Sequence, residues 1–197
     1  MPDITTPKGA FEASQRFYET NAHQYAENTA DLVNSDLVDF VSSLKEGAVV
    51  LDAGCGPGRD LERLAEWGYQ AVGVDLAGTF CDMASAFAPV IQADLRNLPL
   101  KDQSVDGVWA CASLVHLNPD DAKLALSELW RVLRMDAITE ISVKTEGSSG
   151  WAGPKGHERW FQSWSPRPLC ALVESCGMSV TWCKIQRGFV VVRARAR

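Results

Sequence analysis

Val49-Val50-Leu51-Asp52-Ala53-Gly54-Cys55-Gly56-Pro57-Gly58-Arg59-Asp60 is the stretch whose reading decides the fold. With Ala48 it opens on a continuous apolar run of strand length. Continuous rather than alternating apolar residues predict a strand buried on both faces, as in a parallel sheet. The run leads into glycines at 54 and 56, where a backbone without Cβ lets a ligand come close. Residues 58–67 follow, with Leu61, Leu64, Ala65 and Trp67 at the spacing of a short amphipathic helix. The exposed N–H groups at the start of that helix favour an anionic group, such as a pyrophosphate or an amino-acid carboxylate.

Downstream, the pattern of strand, turn and helix repeats. Gln70–Val74, Pro89–Ala93, Val105–Ala112 and Ile138–Val143 read as strands, and 78–87, 119–134 and 166–176 as helices. In 119–134 Pro119 falls in the first turn, where its missing N–H costs least. Leu124, Leu126, Leu129, Trp130 and Leu133 form its expected apolar set. Such alternation predicts a parallel sheet with right-handed crossovers. The ending differs: Met178–Gln186 and Phe189–Val192 are joined only by Arg187-Gly188. So short a link requires an antiparallel pair. The expected fold class is therefore α/β, a Rossmann-like doubly wound seven-stranded sheet, mostly parallel with an antiparallel C-terminal hairpin. Upstream, residues 11–27 and 31–45 carry helical periodicity. Residues 1–197 read as one domain, with the helices of 11–45 acting as a cap.

Two carboxylates strengthen the reading of the glycine turn. Asp75 ends the second strand about 20 residues beyond Gly54, the offset of a ribose-binding acid. Asp94, in Ala93-Asp94-Leu95, ends the third. Each could be a helix cap or a solvated loop residue. Their placement at successive strand C-terminal ends, where open α/β sheets bind ligands, argues for one shared site.

Composition narrows the partners. The chain has 197 residues and a formal charge of -6, a sign that repels phosphate backbones, so no nucleic-acid partner is expected. The alternation of Arg193, Arg195 and Arg197 with Val192, Ala194 and Ala196 is read as a last strand fraying into solvent. No apolar run reaches the ~20 residues of a membrane span, so no membrane partner is expected. The first ten residues show no secretory signal core. Six cysteines form no CxxC pair, and with three histidines no zinc-type cluster arises, so no metal is expected. Reduced thiols suit a cytoplasmic protein, a monomer or a homodimer.

The chain resembles the class I S-adenosylmethionine-dependent methyltransferases of the small seven-strand type, over about residues 15–192. The segment from Asp52 to Gly58 is similar to the family's first motif, Val74-Asp75 to the second, and Ala93-Asp94-Leu95 with Leu98-Pro99 to the third. Ser104–Ala110 is similar to its fourth strand, and Glu128–Arg134 to the end of the helix that follows. One departure is Met135-Asp136-Ala137, where relatives usually carry Pro-Gly-Gly before the fifth strand.

The resemblance implies S-adenosylmethionine as cofactor and a small-molecule methyl acceptor. Backbone at Ala53, Gly54, Cys55 and Gly56 would meet the methionine part, with Arg59 on its carboxylate. Asp75 would hold the ribose and Leu76 the adenine, with Asp94 and Leu95 also at the adenine. Cys111 would line the sulfonium side, and Tyr18 and Tyr25 would close over the cofactor. Methyl transfer is an in-line displacement that needs alignment and exclusion of water more than a base. His116, just past the fourth strand, is the candidate catalytic residue, as a base or to orient the acceptor; packing is its bland alternative. His157 and Glu158 lie in the Gly/Ser-rich connection after strand five. Trp151, Trp160, Phe161 and Trp164 there either wall an acceptor pocket or pin the loop to the core. Two other readings are a nicotinamide-dependent oxidoreductase and a non-catalytic S-adenosylmethionine-binding protein. Against the first, glycines 54, 56 and 58 give GxGxG where a dinucleotide fingerprint wants GxGxxG.

Overall fold

The computed structural model describes residues 7–30, 32, 35–145, 147–153 and 158–197. Helices α1 (Pro7–Thr29) and α2 (Ser35–Val41) precede β1 (Val49–Ala53), α3 (Arg59–Glu66), β2 (Gln70–Asp75), α4 (Gly78–Ala84) and β3 (Val90–Gln92). Then come β4 (Val105–Cys111), a 3-10 turn at Leu114–His116, α5 (Pro119–Val132) and β5 (Leu133–Lys144). A small hairpin, β6 (Gly150–Ala152) and β7 (Arg159–Phe161), leads to α6 (Pro166–Ser175), β8 (Met178–Gln186) and β9 (Phe189–Ala196).

Seven strands form one sheet in the order β3-β2-β1-β4-β5-β9-β8. All pairings from β3 to β5 are parallel, and β9 runs antiparallel to both of its neighbours. The chain starts in the middle at β1, moves outward to β3, then returns to β4 on β1's other side. This reversal leaves a crevice between the C-terminal ends of β1 and β4. The core is continuous with that architecture: Val50, Leu51, Val108 and Ala110 are fully buried, as a strand covered on both faces requires.

Helix α5 shows how local chemistry sets an element. Asn118 caps it, its side chain accepting from the N–H groups of Asp120 (3.0 Å) and Asp121 (3.1 Å), with Pro119 in the first turn. The buried stripe is Ala122, Ala125, Leu126, Leu129 and Val132, whereas Leu124 (55%) and Trp130 (38%) are exposed. The alanines bring this helix close to the sheet, so the expected apolar set was partly off the stripe. Helix α2 is shorter than the expected 31–45; residues 31, 33 and 34 lie outside the described ones, and 42–44 form turns. Its Leu37, Phe40 and Val41 pack with Val50, Leu61 and Trp109 on one face of the sheet. Of the two N-terminal helices, α1 is the one that lines the crevice.

Two expectations about the C-terminal half change. Strand β5 begins at Leu133, directly after α5, and Asp136 takes a left-handed φ of 63° beside a register shift between Val105 and Gly107. The Met135-Asp136-Ala137 departure thus sits at the strand's N-terminal half, away from the crevice. Residues 193–196 do not fray: β9 stays paired to Ala196, and Arg193 holds Glu140, which is 1% exposed. A buried carboxylate needs such a partner, which ties the strand end down. None of the described helices is long and apolar enough to cross a membrane.

Candidate active site

At the crevice, Gly54 turns the chain out of β1 with φ 80°, and its N–H donates to the Val74 carbonyl (2.7 Å). A Cβ on Gly54 would lie 2.3 Å from the Ser113 Cβ, so glycine is what lets the β1 and β4 turns meet. Gly56 has φ 55° and nothing within 4 Å of where a Cβ would be, because that side faces open space. Two chambers flank this turn, of about 730 and 390 Å³.

Most candidate site residues come together here. Tyr18, Tyr25, Gly54, Gly56, Asp75 and Leu76 line the larger chamber, as do Asp94, Leu95, Cys111 and His116. Cys55 and Arg59 line the smaller chamber, which shares Tyr25, Gly54, Gly56 and Cys111 with the first. Ala53 lines neither; it is fully buried in the main core. His157 lies outside the described residues, and Glu158 is exposed.

Asp75 is oriented by the backbone. Its Oδ2 accepts from Gly56 N–H (2.8 Å) and its Oδ1 from Ala77 N–H (2.9 Å). Each oxygen keeps a further lone pair for a ligand hydroxyl. Burial raises its pKa, against those hydrogen bonds. Asp94 is clamped by Arg96 through Nε (3.0 Å) and Nη2 (2.6 Å), and Arg96 also meets Asp121. The Arg96 guanidinium lies 4.6 Å from the centroid of Phe11, another wall residue. Arg59 donates through Nε and Nη2 to Asp60, both at 2.9 Å, so its charge is already shared.

Asp52, which motif reading quoted but did not single out, also belongs to the site. It lines the smaller chamber, is 2% exposed, and its Oδ2 has no partner among the described residues. Burial, then the charge of Asp60, hold its pKa well above the usual carboxylate value. An orphaned buried acid of this kind fits a cationic ligand group. The signal for it was present: it is the last carboxylate before the glycine turn.

The cap over the larger chamber is built from α1. Tyr18, Ala22 and Tyr25 fall on one helical face and pack on Phe80 of α4. Glu19, beside them, accepts from Gly78 N–H (2.6 Å) and Thr79 Oγ1 (2.9 Å), fastening α1 to the start of α4. Ser14, fully buried, accepts from Trp160 N–H (3.0 Å), fastening α1 to β7.

His116 sits where these pieces converge. Its Nδ1 bonds to the Trp160 carbonyl, and its Nε2 lies 2.8 Å from Tyr18 Oη. A carbonyl only accepts, so Nδ1 carries the proton and Nε2 accepts from the Tyr18 hydroxyl. Arg159 Nη1 then donates to Tyr18 Oη (3.1 Å). The result is a one-way chain from Arg159 through Tyr18 and His116 to the Trp160 carbonyl. Burial lowers the His116 pKa from 6.5 to about 4, keeping the ring neutral near pH 7. Burial also pushes the Tyr18 hydroxyl further up. With its Nε2 accepting from Tyr18 and its pKa lowered, His116 is poorly placed to take a proton in this arrangement. Sequence pattern did not single out Glu19, Arg96 or Arg159; the partners of Glu19 and Arg159 lie far along the chain, where no spacing marks them. The aromatic cluster divides: Trp164 is 8% exposed in the core, Phe161 stacks 4.8 Å from His116, and Trp151 stands outward against Trp160.

An α/β sheet with one reversed strand and a glycine turn, with acids at successive strand ends, defines a nucleoside-binding fold of the class I methyltransferase type. Comparisons with known proteins agree. Residues 51–139 match the family described as "Methyltransferase domain". A malonyl-[acyl-carrier protein] O-methyltransferase of Yersinia pestis is 31% identical over 155 residues, 75% of this chain and 55% of that protein. A tRNA (carboxymethyluridine(34)-5-O)-methyltransferase of Arabidopsis thaliana is 30% identical over 129 residues, 64% of this chain and 30% of that one. The chain thus spans about half or less of these curated relatives. Among solved structures, the 1,6-didemethyltoxoflavin-N1-methyltransferase of Burkholderia thailandensis superposes with a TM-score of 0.80 at 21% identity. That match covers 97% of this chain and 90% of that one, which was solved with 1,6-didemethyltoxoflavin and S-adenosylhomocysteine. Residues 51–139 thus match a methyltransferase family, and the chain as a whole shares the fold of S-adenosylmethionine-dependent class I methyltransferases.

Proposed function

We propose that this protein transfers the methyl group of S-adenosylmethionine to a small-molecule acceptor. One observation carries the reading: Asp52, Asp75 and Asp94, each at or just past the C-terminal end of one of three neighbouring strands, line the two adjoining chambers that share the glycine turn, Asp52 the smaller and Asp75 and Asp94 the larger. The orphaned Asp52 suits the cofactor's ammonium group, and the two-oxygen face of Asp75 suits its ribose diol. Leu76 and Leu95 offer apolar surface to an adenine, beside Asp94. Bound S-adenosylmethionine supplies a methyl group already activated by a cationic sulfur.

The chain's own residues then orient and enclose. Cys111, Ala112 and Ser113 end β4 against the Gly54 turn and form the floor. Tyr18, Phe80 and the α1 cap cover the cavity and exclude water, which favours direct displacement. The Tyr18 hydroxyl, aimed by Arg159 and His116, fixes one polar direction for the acceptor. With His116 neutral and its Nε2 already accepting, the acceptor enters as a nucleophile that needs no strong base.

Two features support a small acceptor over a nucleic acid: the cover of α1 residues Phe11, Gln15, Tyr18 and Tyr25 along the larger chamber, and the formal charge of -6. All six cysteines are thiols, which supports a cytoplasmic setting. Calorimetry with S-adenosylmethionine, S-adenosylhomocysteine and NAD tests the cofactor, and a labelled methyl donor with a metabolite library tests transfer. Micromolar binding of the first two and none of NAD is expected. NAD binding alone would overturn the reading, and cofactor binding with no acceptor turned over would favour a non-catalytic binding protein.

A further inference from the structure

Behind Tyr18 and His116 of the cavity wall stand two cations that hold no carboxylate among the described residues. Arg159, on β7, lies against aromatic faces: its Cζ is 4.4 Å from the Phe17 centroid and 5.2 Å from that of Phe161. Lys144, at the C-terminal end of β5, places its Nζ 4.6 Å from the same Phe161 ring. Phe161 in turn packs on His116, which lines the cavity. Aromatic faces stabilise cations but do not neutralise them. Among the described residues, the ion pairs include neither Arg159 nor Lys144.

This is unusual in a chain where acidic residues outnumber basic ones 25 to 19. The other part-buried arginines of the site, Arg59 and Arg96, each hold a carboxylate. Among the described residues the Arg159 side chain makes one hydrogen bond, to Tyr18 Oη, and its Nε is buried without a partner. A guanidinium has five donors in a planar fork that matches a carboxylate. Phe11, Gln15, Tyr18, His116 and Leu117, which line this cavity, are not acids; Asp75 and Asp94 line it too. Of the carboxylates in the larger chamber, Asp94 is paired with Arg96 and Asp75 is oriented by backbone N–H groups, and neither is an ion-pair partner of Arg159.

We propose that the acceptor is a small carboxylic acid, with Arg159 its specificity-determining residue and Lys144 reinforcing the positive potential behind His116. The inference rests on the methyltransferase reading. The acid group docks beside Tyr18 Oη and supplies Arg159 with the anion that the fold does not. The aromatic wall made by Phe11, Tyr18 and His116 favours an acid with an apolar body. An unpaired cation behind a cavity raises the local concentration of anions and orients them.

The test uses the isosteric pair benzoate and benzamide, titrated into the full chain with bound S-adenosylhomocysteine, while the His116 imidazole is followed by nitrogen NMR. Benzoate is expected to shift the His116 signals with an affinity at least tenfold above that of benzamide, and to weaken with added salt. Arg159→Gln should abolish that preference. Lys144→Gln, on a different element, should reduce it, so that misfolding of one variant does not remove the comparison. Equal shifts by both probes, no shift by benzoate, or a preference intact in both variants would overturn the proposal. Binding of S-adenosylhomocysteine, measured by calorimetry on the same samples, reports the cofactor site separately. Its absence would sink the methyltransferase reading rather than the charge preference.

Discussion

Gly54→Ala and Gly56→Ala are chemically the same change two residues apart, and the structure assigns them opposite consequences. At Gly54 the new Cβ would stand 2.3 Å from the Ser113 Cβ and 3.3 Å from its Cα. Ordinary carbon contacts are about 3.5–4.0 Å, so the β4 turn would have to retreat by about 1 Å or more. Overpacking of that kind costs about 1–3 kcal/mol, and alanine at φ 80° adds about 1–2 kcal/mol. Alanine also stiffens the unfolded chain, returning about 0.4–1 kcal/mol. The net destabilisation is about 1–4.6 kcal/mol. For a chain of this length that lowers Tm by about 2–18 °C. At Gly56 nothing lies within 4 Å of the added carbon, so only the backbone cost remains and the fold should lose about 1 kcal/mol or less. That carbon, however, points into the space shared by both chambers, where the cofactor is proposed to lie. Thermal or urea unfolding should therefore single out Gly54→Ala, and calorimetry with S-adenosylhomocysteine should single out Gly56→Ala, with affinity down at least tenfold. If Gly54→Ala unfolds within 0.5 kcal/mol (~ the noise of surface substitutions) of the parent, the close approach of the two turns is wrong. If Gly56→Ala binds S-adenosylhomocysteine normally, the turn does not cradle the cofactor.

Three further outcomes follow from the same geometry. Asp75→Asn should weaken S-adenosylhomocysteine binding by about 1.5–3 kcal/mol, roughly ten- to a hundredfold, because charged acceptors make the stronger hydrogen bonds; unchanged calorimetric affinity would remove Asp75 from the ribose site. Tyr18→Phe leaves His116 Nε2 buried without its donor and should cost about 1–3 kcal/mol in chemical unfolding, alongside slower methyl transfer; a variant as stable as the parent would contradict the Arg159–Tyr18–His116 chain. His116, neutral when folded with a pKa of about 4, binds its proton more readily in the unfolded chain, whose value is near 6.5. Stability should therefore rise with pH between about 4 and 6.5, by about 3 kcal/mol in all, and owe nothing further to this group above that window. His116→Gln should lose that increment, and unfolding curves that stay parallel for both proteins from pH 4 to 7 would refute a buried neutral ring.

The elements of this fold were legible where one segment carries its own signal. The run from Val49 to Leu51 marks a doubly covered strand, and the two-residue link at Arg187-Gly188 requires the reversed final pair. Errors arose where neighbours outvote local pattern. Arg193 and its alternating partners resemble a fraying end, yet Glu140 and the β5 ladder hold them. Leu124 and Trp130 are apolar but lie off the face that the small Ala122 and Ala125 press to the sheet.

The sequence alone thus determined the class of fold and the glycine turn with Asp75 and Asp94 at strand ends, because chain order and strand polarity bring those positions to one edge. Only the tertiary structure decided what stands behind the cavity wall. Tyr18, His116 and Arg159 come from α1, the turn after β4, and β7. Residues 18 and 116 are 98 positions apart, and 18 and 159 are 141 apart. Their tautomers, hydrogen-bond direction and missing counter-ion arise from burial and from the company that packing supplies, and periodicity records neither.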